Sequence, residues 1–403
     1  MIMKNVLIIE VEHRGHHFVS YLKNIIKELQ NKNIKCYLIT TSEALKSVEF
    51  KYFIRSINKN LRIFTISKKF NIIRNSKLSI FFFQLIIYFK IKFLVKKLIK
   101  KKIHIDLIYL NTLDHFEKIF CIFGPFVKKI PIICILLNIK FHFHEIIHKK
   151  KSKITWIYTF LFKRLLKFEN IKKVIVLDEL FIKYLKKKKF NYKKKISLLP
   201  EFGEIKKIKN KSILREKFKI PKKNKVLLIY GVINKIKGIK EAIHSLLLNN
   251  QIKNLSIMVV GKQDLEIKIL LNLKKIKILV NSRKIIVIDN FLDEKIEREI
   301  FTVSDFGWAG YVYGSQSSSG FLVHACSAGL PIISNNLSLT SHHVRKNKLG
   351  ICIDPFNYKK TNKAIENFIN MNDYKKYVKN CINFARKRTK KKFLYKLLKE
   401  FNE

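Results

Sequence analysis

A loop of small, hydroxyl-bearing residues late in the chain has the composition of an anion site. Ser315–Gly320 holds four serines and a glycine, with no bulky or charged side chain. A helical pattern begins at Phe321, and Gly329-Leu330-Pro331 ends it before another apolar run. Backbone N–H groups, hydroxyls and the positive end of the helix dipole would all face this loop. The pattern predicts binding of a phosphate or diphosphate, with an ordinary N-capping serine loop as the alternative.

A lysine at the start of another helix is the second candidate. The loop Gly231–Gly238 follows the apolar strand Val226–Tyr230 and places Lys237 where a helix begins. A lysine there opposes the helix dipole, so an anionic ligand would compensate it; a solvated side chain is the alternative. The loop is not a Walker A motif, and no GxGxxG follows either first strand, which argues against a standard dinucleotide oxidoreductase. Lys237 and the serine loop follow strands of one predicted domain, and together they favour the phosphate site.

The loop after the first strand supplies a glycine and histidines at another helix start. Gly15, His16 and His17 follow the apolar strand Val6–Ile9. Gly15 permits a tight turn, and the imidazoles suit a ligand site; a structural role for the histidines is the alternative.

A further polar loop, Asn111–His115, follows the predicted strand Asp106–Leu110. Asn111, Asp114 and His115 would act as hydrogen-bonding or acid–base groups if they face a ligand. The alternative for Asp114 is a helix N-cap.

The histidines and cysteines form no metal motif. His142 and His144 would share one face of an extended segment, but no third ligand stands at a suitable spacing, so zinc is rejected. The six cysteines are scattered without CxxC spacing, which predicts buried free thiols in a reducing cytosol.

Strand and helix patterns alternate along the chain, and the strands are apolar throughout, as in parallel sheets. The expected fold is α/β, with two doubly wound Rossmann-like domains facing across a cleft and a ligand at the carboxyl ends of the strands. We assign the domains to residues 1–203 and 204–371. The helices of 372–403 are expected to pack back toward the N-terminal domain.

The composition is strongly basic. The 403 residues include 83 Lys and Arg against 29 Asp and Glu, a net charge of +54, and 48% are hydrophobic. This length predicts two domains, and the hydrophobic content excludes global disorder. The charge attracts anions such as nucleotides, nucleic acid or an acidic membrane face, although an AT-rich coding bias would also enrich lysine.

The stretch Ser79–Lys102 is apolar and aromatic first and cationic later, and no Asp or Glu occurs between Phe50 and Ile105. Its uninterrupted apolar part is about a dozen residues, whereas a membrane-spanning helix needs about 20. Contact with an anionic membrane surface is one prediction. A helix packed on the core with solvated lysines is the other, and both stay open.

Three stretches of the second half resemble the retaining GT-B glycosyltransferases of the group 1, or GT4-like, family. They are LLIYGVINKIKGIKEAI, IMVVGK and SDFGWAGYVYGSQSSSGFLVHACSAGLPIIS. EHRGHHFVSYLKNIIKEL resembles the start of that family's first domain, and VIVLDELFIKYL and SLLPEFGE resemble its end. At the level of architecture the resemblance covers essentially the whole chain. It implies an enzyme that transfers a sugar from a nucleotide-sugar donor, with no cofactor or required metal, to an acceptor held by the N-terminal domain.

From the resemblance and the loops above we assign site residues. The donor would be bound by the second domain, through Gly231, Lys237, Gly238, Gln316, Ser317, Ser318, Ser319, Gly320 and His324. The acceptor would be bound by Gly15, His16, His17, Asn111 and His115. Lys237, His16 and Asp114 are the predicted catalytic residues, with Lys237 stabilising the departing diphosphate.

Three positions depart from the family pattern. Members commonly carry two glutamates eight positions apart in the last motif, where this chain has Gln316 and His324. Val232 stands where an arginine often follows the first glycine of the lysine loop. The glutamate that holds ribose hydroxyls and one phosphate-binding cation are therefore missing, and His324 is left to hydrogen-bond the ribose.

The predicted function is transfer of a sugar, with retention, to a cell-surface glycan or lipid-linked acceptor. The predicted location is the cytoplasm, on the inner face of the membrane. One alternative is a catalytically inactive glycosyltransferase-like binding protein, suggested by Gln316 and His324. The other is a nucleic-acid binder, suggested by the net charge; since no recognised module is present, no specific nucleic acid is expected as a partner.

Overall fold

The structure is a computed structural model that describes residues 3–12, 17–57, 60–67, 77–139, 142–146, 153–190, 194–248, 252–312 and 319–402. The chain forms two compact units, Met1–Pro200 with Leu394–Glu403, and Glu201–Phe393. Each unit contains one parallel β-sheet surrounded by helices, which confirms the predicted α/β fold with two doubly wound domains. The predicted roles of these domains in acceptor and donor binding stay predictions.

The first unit is built on a seven-stranded sheet. Its strands are β1 (Asn5–Ile9), β2 (Lys35–Thr41), β3 (Leu61–Ile66), β4 (Leu107–Leu110), β5 (Ile132–Leu136), β6 (Ile171–Val176) and β7 (Ile196–Leu198). Their order in the sheet is β3-β2-β1-β4-β5-β6-β7. The central strands are buried because both faces of a parallel sheet are covered, whereas the edge strand β3 is mostly half-buried. This exposure explains why the sequence pattern did not predict β3.

Helices connect these strands. They are α1 (Lys23–Asn31), α2 (Ser42–Lys46), α3 (Val48–Arg55), α4 (Lys77–Lys100), α5 (Glu117–Phe123), α6 (Phe143–Ile146), α7 (Lys153–Lys167) and α8 (Glu179–Lys187); a π-helical turn, His17–Leu22, precedes α1. The crossovers from β3 through β4, β5 and β6 to β7 all run in one direction across the sheet. Right-handed crossovers therefore place α4, α5, α7 and α8 on one face, where they share a core.

The second unit is built on a six-stranded sheet. Its strands are β8 (Lys225–Tyr230), β9 (Leu255–Val260), β10 (Ile285–Ile288), β11 (Phe306–Ala309), β12 (Ile332–Asn335) and β13 (Gly350–Ile353), in the order β10-β9-β8-β11-β12-β13. Its helices are α9 (Lys211–Lys217), α10 (Ile239–Ile243, continued by the π-helical turn His244–Leu248), α11 (Leu265–Asn272), α12 (Lys274–Asn281), α13 (Glu294–Val303), α14 (Gly320–Ser327), α15 (Leu339–Asn347), α16 (Tyr358–Ile369) and α17 (Tyr374–Arg386). The last helix, α18 (Lys390–Asn402), crosses the boundary between the units in the sequence. Two separate apolar cores form from side chains of this unit.

Each sheet has one point at which the strand order reverses. In the first unit this point lies between β1 and β4, and in the second it lies between β8 and β11. The loops after these two strands diverge to opposite faces and leave room at the carboxyl ends, where open α/β sheets bind their ligands. Lys237 follows β8 and Ser319 follows β11, so two of the predicted donor residues lie in loops that leave this point.

Candidate functional site

Lys237 is held in a fixed position at the carboxyl end of β8. Asn234 accepts a hydrogen bond from the backbone N–H of Ile236 and caps a short 3-10 turn, Lys235–Lys237. The half-buried ammonium group of Lys237 lies 5.0 Å from the centroid of the Tyr311 ring. A side chain on Gly231 would meet this ammonium, since a Cβ there would lie 3.4 Å from Nζ. The charge is thus held over an aromatic face and beside a backbone position that has no side chain.

Hydrogen bonds to backbone carbonyls tie the loop Gly231–Gly238 to the end of β11. The indole Nε1 of Trp308 donates to the carbonyl of Lys237 at 2.9 Å, and the N–H of Val312 donates to the carbonyl of Ile236 at 2.9 Å. Gly238 has a φ of +67° and packs so closely that a Cβ would lie 2.3 Å from the carbonyl oxygen of Gly310. Glycine is required here both by the conformation and by the contact. The turn that carries Lys237 is therefore packed directly against the end of β11, from Trp308 to Val312.

The start of α14 is linked to the same segment through Tyr311. The Tyr311 hydroxyl and the Ser319 Oγ are 2.7 Å apart, and Ser319 caps α14 by accepting from the N–H of Leu322. The amide of Asn335 donates to the Tyr311 carbonyl at 2.6 Å. Ser319 thus takes the capping role that was the alternative at this loop, and its contact with a phosphate stays a prediction. Gln316, Ser317 and Ser318 lie outside the described residues.

A carboxylate already lies at the start of α14. A Cβ on Gly320 would be 3.8 Å from Cδ and 3.9 Å from Oε1 of Glu201. A negative charge at a helix N-terminus is favourable, and Glu201 therefore does part of what an anionic ligand would do there. The helix dipole of α14 alone does not require a phosphate, and Lys237 becomes the stronger argument for one.

His324 of α14 is coupled to a carboxylate that the sequence did not suggest. Its Nδ1 lies 3.6 Å from Oε1 of Glu297 on α13, and the Tyr230 hydroxyl donates to the same oxygen at 2.5 Å. Burial, and then the charge of Glu297, raise the pKa of Tyr230 well above its usual range. Gly203 packs against the imidazole so tightly that a Cβ would lie 2.4 Å from Cδ2. No local pattern links α13 to α14, so only the packed structure identifies Glu297.

In the first unit a buried carboxylate occupies the corresponding switch point. Glu10, directly after β1, is fully buried and accepts from Nδ2 of Asn111 at 2.6 Å and Oγ1 of Thr112 at 3.0 Å. It also accepts from the N–H of Glu12 at 2.8 Å. The side-chain amide of Asn111, predicted to contact the acceptor, thus binds a neighbouring loop. Glu10 was not identified from the sequence. A single acidic residue at the end of an apolar strand is the pattern that could have found it.

Asp114 does not cap a helix, so the alternative prediction for it is wrong. Helix α5 begins at Glu117 with Phe116 before it, and no side chain caps this end. Asp114 instead accepts from the N–H groups of Leu137 at 2.9 Å and Asn138 at 2.6 Å, which join the loops after β4 and β5. Burial raises the pKa of Asp114, with the two amides acting in the opposite direction. Burial, and then Asp114, raise the pKa of Glu117 to about 7.

The remaining predicted residues are placed as follows. His115 lies beside Asp114, and its positive charge would lower the Asp114 pKa. Gly15, His16 and the side chain of His17 lie outside the described residues. The buried His142 pairs with Asp178, with 2.8 Å between Nε2 and Oδ2, while the side chain of His144 is not among those described. Within the described ranges, no three His, Cys, Asp or Glu side chains form a group that could hold a metal ion.

No family model matches the chain, and no curated protein matches it by sequence. Solved structures match it over nearly its whole length. HepE from Anabaena, in complex with UDP and glucose, has 13% sequence identity and a TM-score of 0.69, with 99% of each chain covered. Sucrose-phosphate synthase from Thermosynechococcus elongatus has 12% identity and a TM-score of 0.71, with 99% of this chain and 98% of that chain covered. WaaG, a glycosyltransferase involved in lipopolysaccharide biosynthesis, has 14% identity and a TM-score of 0.62, with 94% and 95% covered. The chain therefore has the GT-B fold that the resemblance implied.

Replacing Gly238 by alanine should destabilise the second unit. The left-handed conformation costs a non-glycine residue about 1–2 kcal/mol, and the close contact with the Gly310 carbonyl adds to it. The free energy of unfolding in urea measures the effect. Gly320→Ala is the matched control, because its Cβ would meet nothing closer than 3.8 Å. Equal stability of both variants would contradict the requirement for glycine at position 238.

Glu117 should make the first unit less stable as pH rises. Its folded pKa of about 7 lies above the unfolded value of 4.5, so the folded state binds the extra proton between these values and stability falls with pH across that window. Glu117→Gln should remove this part of the decline, seen as a smaller drop in Tm from pH 5 to pH 7.5. Glu266→Gln, at an exposed carboxylate, should leave the decline as it is. If the two variants share one pH profile, the carboxyl of Glu117 is not perturbed.

Proposed function

We propose that this protein is a glycosyltransferase that moves a sugar, with retention, from a nucleotide sugar to an acceptor hydroxyl. The observation that carries the proposal is the ammonium of Lys237, held 5.0 Å from the Tyr311 ring centroid at the switch point of the second sheet. A held cation at this edge suits the diphosphate of a nucleotide sugar. The GT-B fold supports the same reading, since HepE was solved with UDP and with UDP-glucose.

The donor would lie on the second unit. Its diphosphate would contact Lys237, the backbone at Gly231 and Gly238, and the loop from Gln316 to Gly320. His324 would face the ribose in place of the family's glutamate, with Glu297 orienting its ring through Nδ1. Glu297 would thus be a positioning residue that compensates for a carboxylate missing from the helix itself.

Lys237 would act when the bond between the sugar carbon and the diphosphate oxygen breaks. The leaving diphosphate gains negative charge, and a cation already in place stabilises that charge without reorganising. The acceptor oxygen then bonds to the same carbon and gives up its proton to a basic group at the site. His16 and Asp114 are the proposed groups of the first unit; Asp114 also orders the loops after β4 and β5 through Leu137 and Asn138.

The acceptor would be a cell-surface glycan or a lipid-linked precursor, and the reaction would take place in the cytoplasm at the inner face of the membrane. All six cysteines are free thiols, and burial raises the pKa of Cys36, Cys121 and Cys134. Unpaired, unreactive thiols are typical of a reducing compartment. Helix α4 supports a location beside lipid, because its outward side is apolar.

A screen of purified protein against UDP-, GDP- and CDP-sugars tests the function. We expect calorimetry to detect binding, and slow donor hydrolysis to occur, with one nucleotide class. All of these donors share the diphosphate, so contacts to the base and ribose would decide which class binds. Absence of binding to every donor would contradict the proposal and favour a binding protein without activity.

Lys237→Ala should lower transfer by at least about 10²-fold, the scale of losing one transition-state donor. The rate constant kcat with the donor found in the screen is the measurement. Lys235→Ala is the matched control, because Lys235 belongs to the same turn but its side chain is 60% exposed. Similar rates in the wild type and Lys237→Ala would remove Lys237 from the site.

Glu201→Gln should tighten binding of the nucleoside diphosphate by about three- to tenfold, because a negative charge near the start of α14 repels it. Titration calorimetry at low and high salt measures the change, which should shrink as salt screens the repulsion. Glu204→Gln removes an exposed carboxylate three residues away and should have little effect. Weaker binding in Glu201→Gln would mean that this carboxylate contacts the donor directly.

A further inference from the structure

Three neighbouring helices of the first unit expose an apolar and aromatic surface. We define the outer helical face as the exposed apolar side chains of α4, α5 and α7, namely Leu78, Ile80, Phe81, Phe82, Phe89, Phe93, Ile99, Ile122, Phe123, Trp156, Ile157 and Phe160. They are twelve of the twenty-four large apolar side chains that are exposed among the described residues, and seven of the nine exposed aromatic ones. Such a concentration of exposed apolar side chains marks an interaction surface.

The face is one continuous layer. Phe89 of α4 and Phe123 of α5 are in edge contact, with ring centroids 5.3 Å apart. Arg164 of α7 donates to the carbonyls of Cys121 at 2.8 Å and Ile122 at 3.1 Å. All three helices bury their inner sides in the same core of the sheet, so their outer sides point away from it together.

Charge identifies the partner of this layer. Helices α4 and α7 contain no Asp or Glu. The exposed Lys96, Lys97 and Lys100 lie on the last turns of α4, and Lys163 and Lys167 lie on the solvent side of α7. Aromatic side chains bordered by lysines match the boundary between acyl chains and anionic headgroups.

Helix α4 could in principle cross a bilayer, since its length and composition are sufficient. Its inner side, however, is committed to the core through Ile87, Tyr88, Ile91, Val95 and Leu98, which are almost fully buried. A helix packed along a sheet in this way presents only its outer side. The arrangement therefore suits a helix that lies flat on a surface and does not span it.

We propose that the outer helical face docks on an anionic phospholipid bilayer, with its aromatic side chains at the acyl boundary and its lysines among the phosphates. Its benefit to the protein, access to a lipid-linked acceptor, rests on the proposed function. Lipid binding itself needs neither a sugar donor nor sugar transfer, so membrane docking and the proposed function can be tested independently.

The two tryptophans give a direct test. Trp156 is 72% exposed on the outer helical face, and Trp308 is 1% exposed inside the second unit. Vesicles of phosphatidylcholine with phosphatidylglycerol should shift the tryptophan emission to shorter wavelength, and bromine-labelled acyl chains should quench it. Trp156→Phe should abolish both signals while the protein still sediments with the vesicles. Unchanged emission in the wild type at saturating vesicles would overturn the proposal.

Substitutions on the face separate its apolar and cationic parts. Phe82→Ser with Phe93→Ser and Phe160→Ser, and separately Lys96→Glu with Lys97→Glu and Lys100→Glu, should each weaken vesicle partitioning by at least about tenfold. The matched controls are Leu265→Ser with Ile278→Ser and Phe356→Ser, and Lys274→Glu with Lys275→Glu and Lys277→Glu, all at exposed positions of the second unit. The controls should partition like the wild type.

Other outcomes would overturn the proposal. If the face variants and their controls lose vesicle partitioning equally, the attraction is due to net charge alone. If the protein binds pure phosphatidylcholine vesicles equally well, anionic lipid is not required. A third such outcome is that the lipid-free protein sediments as a dimer that dissociates when the apolar side chains are replaced. That result would assign the outer helical face to a second copy of the chain. Calorimetry of the face variants with nucleotide should match the wild type, so that a loss of lipid binding is not confused with a failed donor site.

Discussion

The parallel register between β8 and β11 is the constraint on which the second unit depends. Phe306 pairs with Leu227 and Gly307 with Leu228, so both strands end at the same edge of the sheet. This common edge lets the Trp308 indole donate to the Lys237 carbonyl and brings the Tyr311 ring under the ammonium. A shift in register would separate the aromatic face from the cation. The arrangement of side chains at the candidate site therefore depends on the pairing of these two strands.

Carboxylates are scarce in this chain, and several of them connect separate loops or helices. Glu10 and Asp114 join loops of the first unit, and Glu297 joins Tyr230 to His324 in the second. A net charge of +54 attracts anions over the whole surface. The local charges differ from this average: the Glu201 carboxylate lies near the start of α14, whereas the Lys237 ammonium lies beside Gly231.

Handedness explains how an apolar stretch of sequence becomes a surface. Because four successive crossovers run one way across the first sheet, α4, α5 and α7 cover the same face. The sheet can bury only one side of each helix, and α4 is apolar on both. Its second apolar side is then exposed beside Phe123 and the aromatic residues of α7. The sequence left core packing and membrane contact open for Ser79–Lys102, and the fold has the helix packed on the core with an apolar outer side as well.

The sequence by itself determined the α/β class, most strands and the loops that follow them, because apolar runs, helix periodicity and glycines are local patterns. It missed β3, whose half-buried residues form no apolar run, and it wrongly offered Asp114 as a helix cap. Only the tertiary structure decided the contacts of Glu10 with Asn111, of Glu297 with His324 and of Glu201 with the start of α14. These partners are far apart along the chain, and only packing of the sheets and helices brings them within hydrogen-bonding or van der Waals distance.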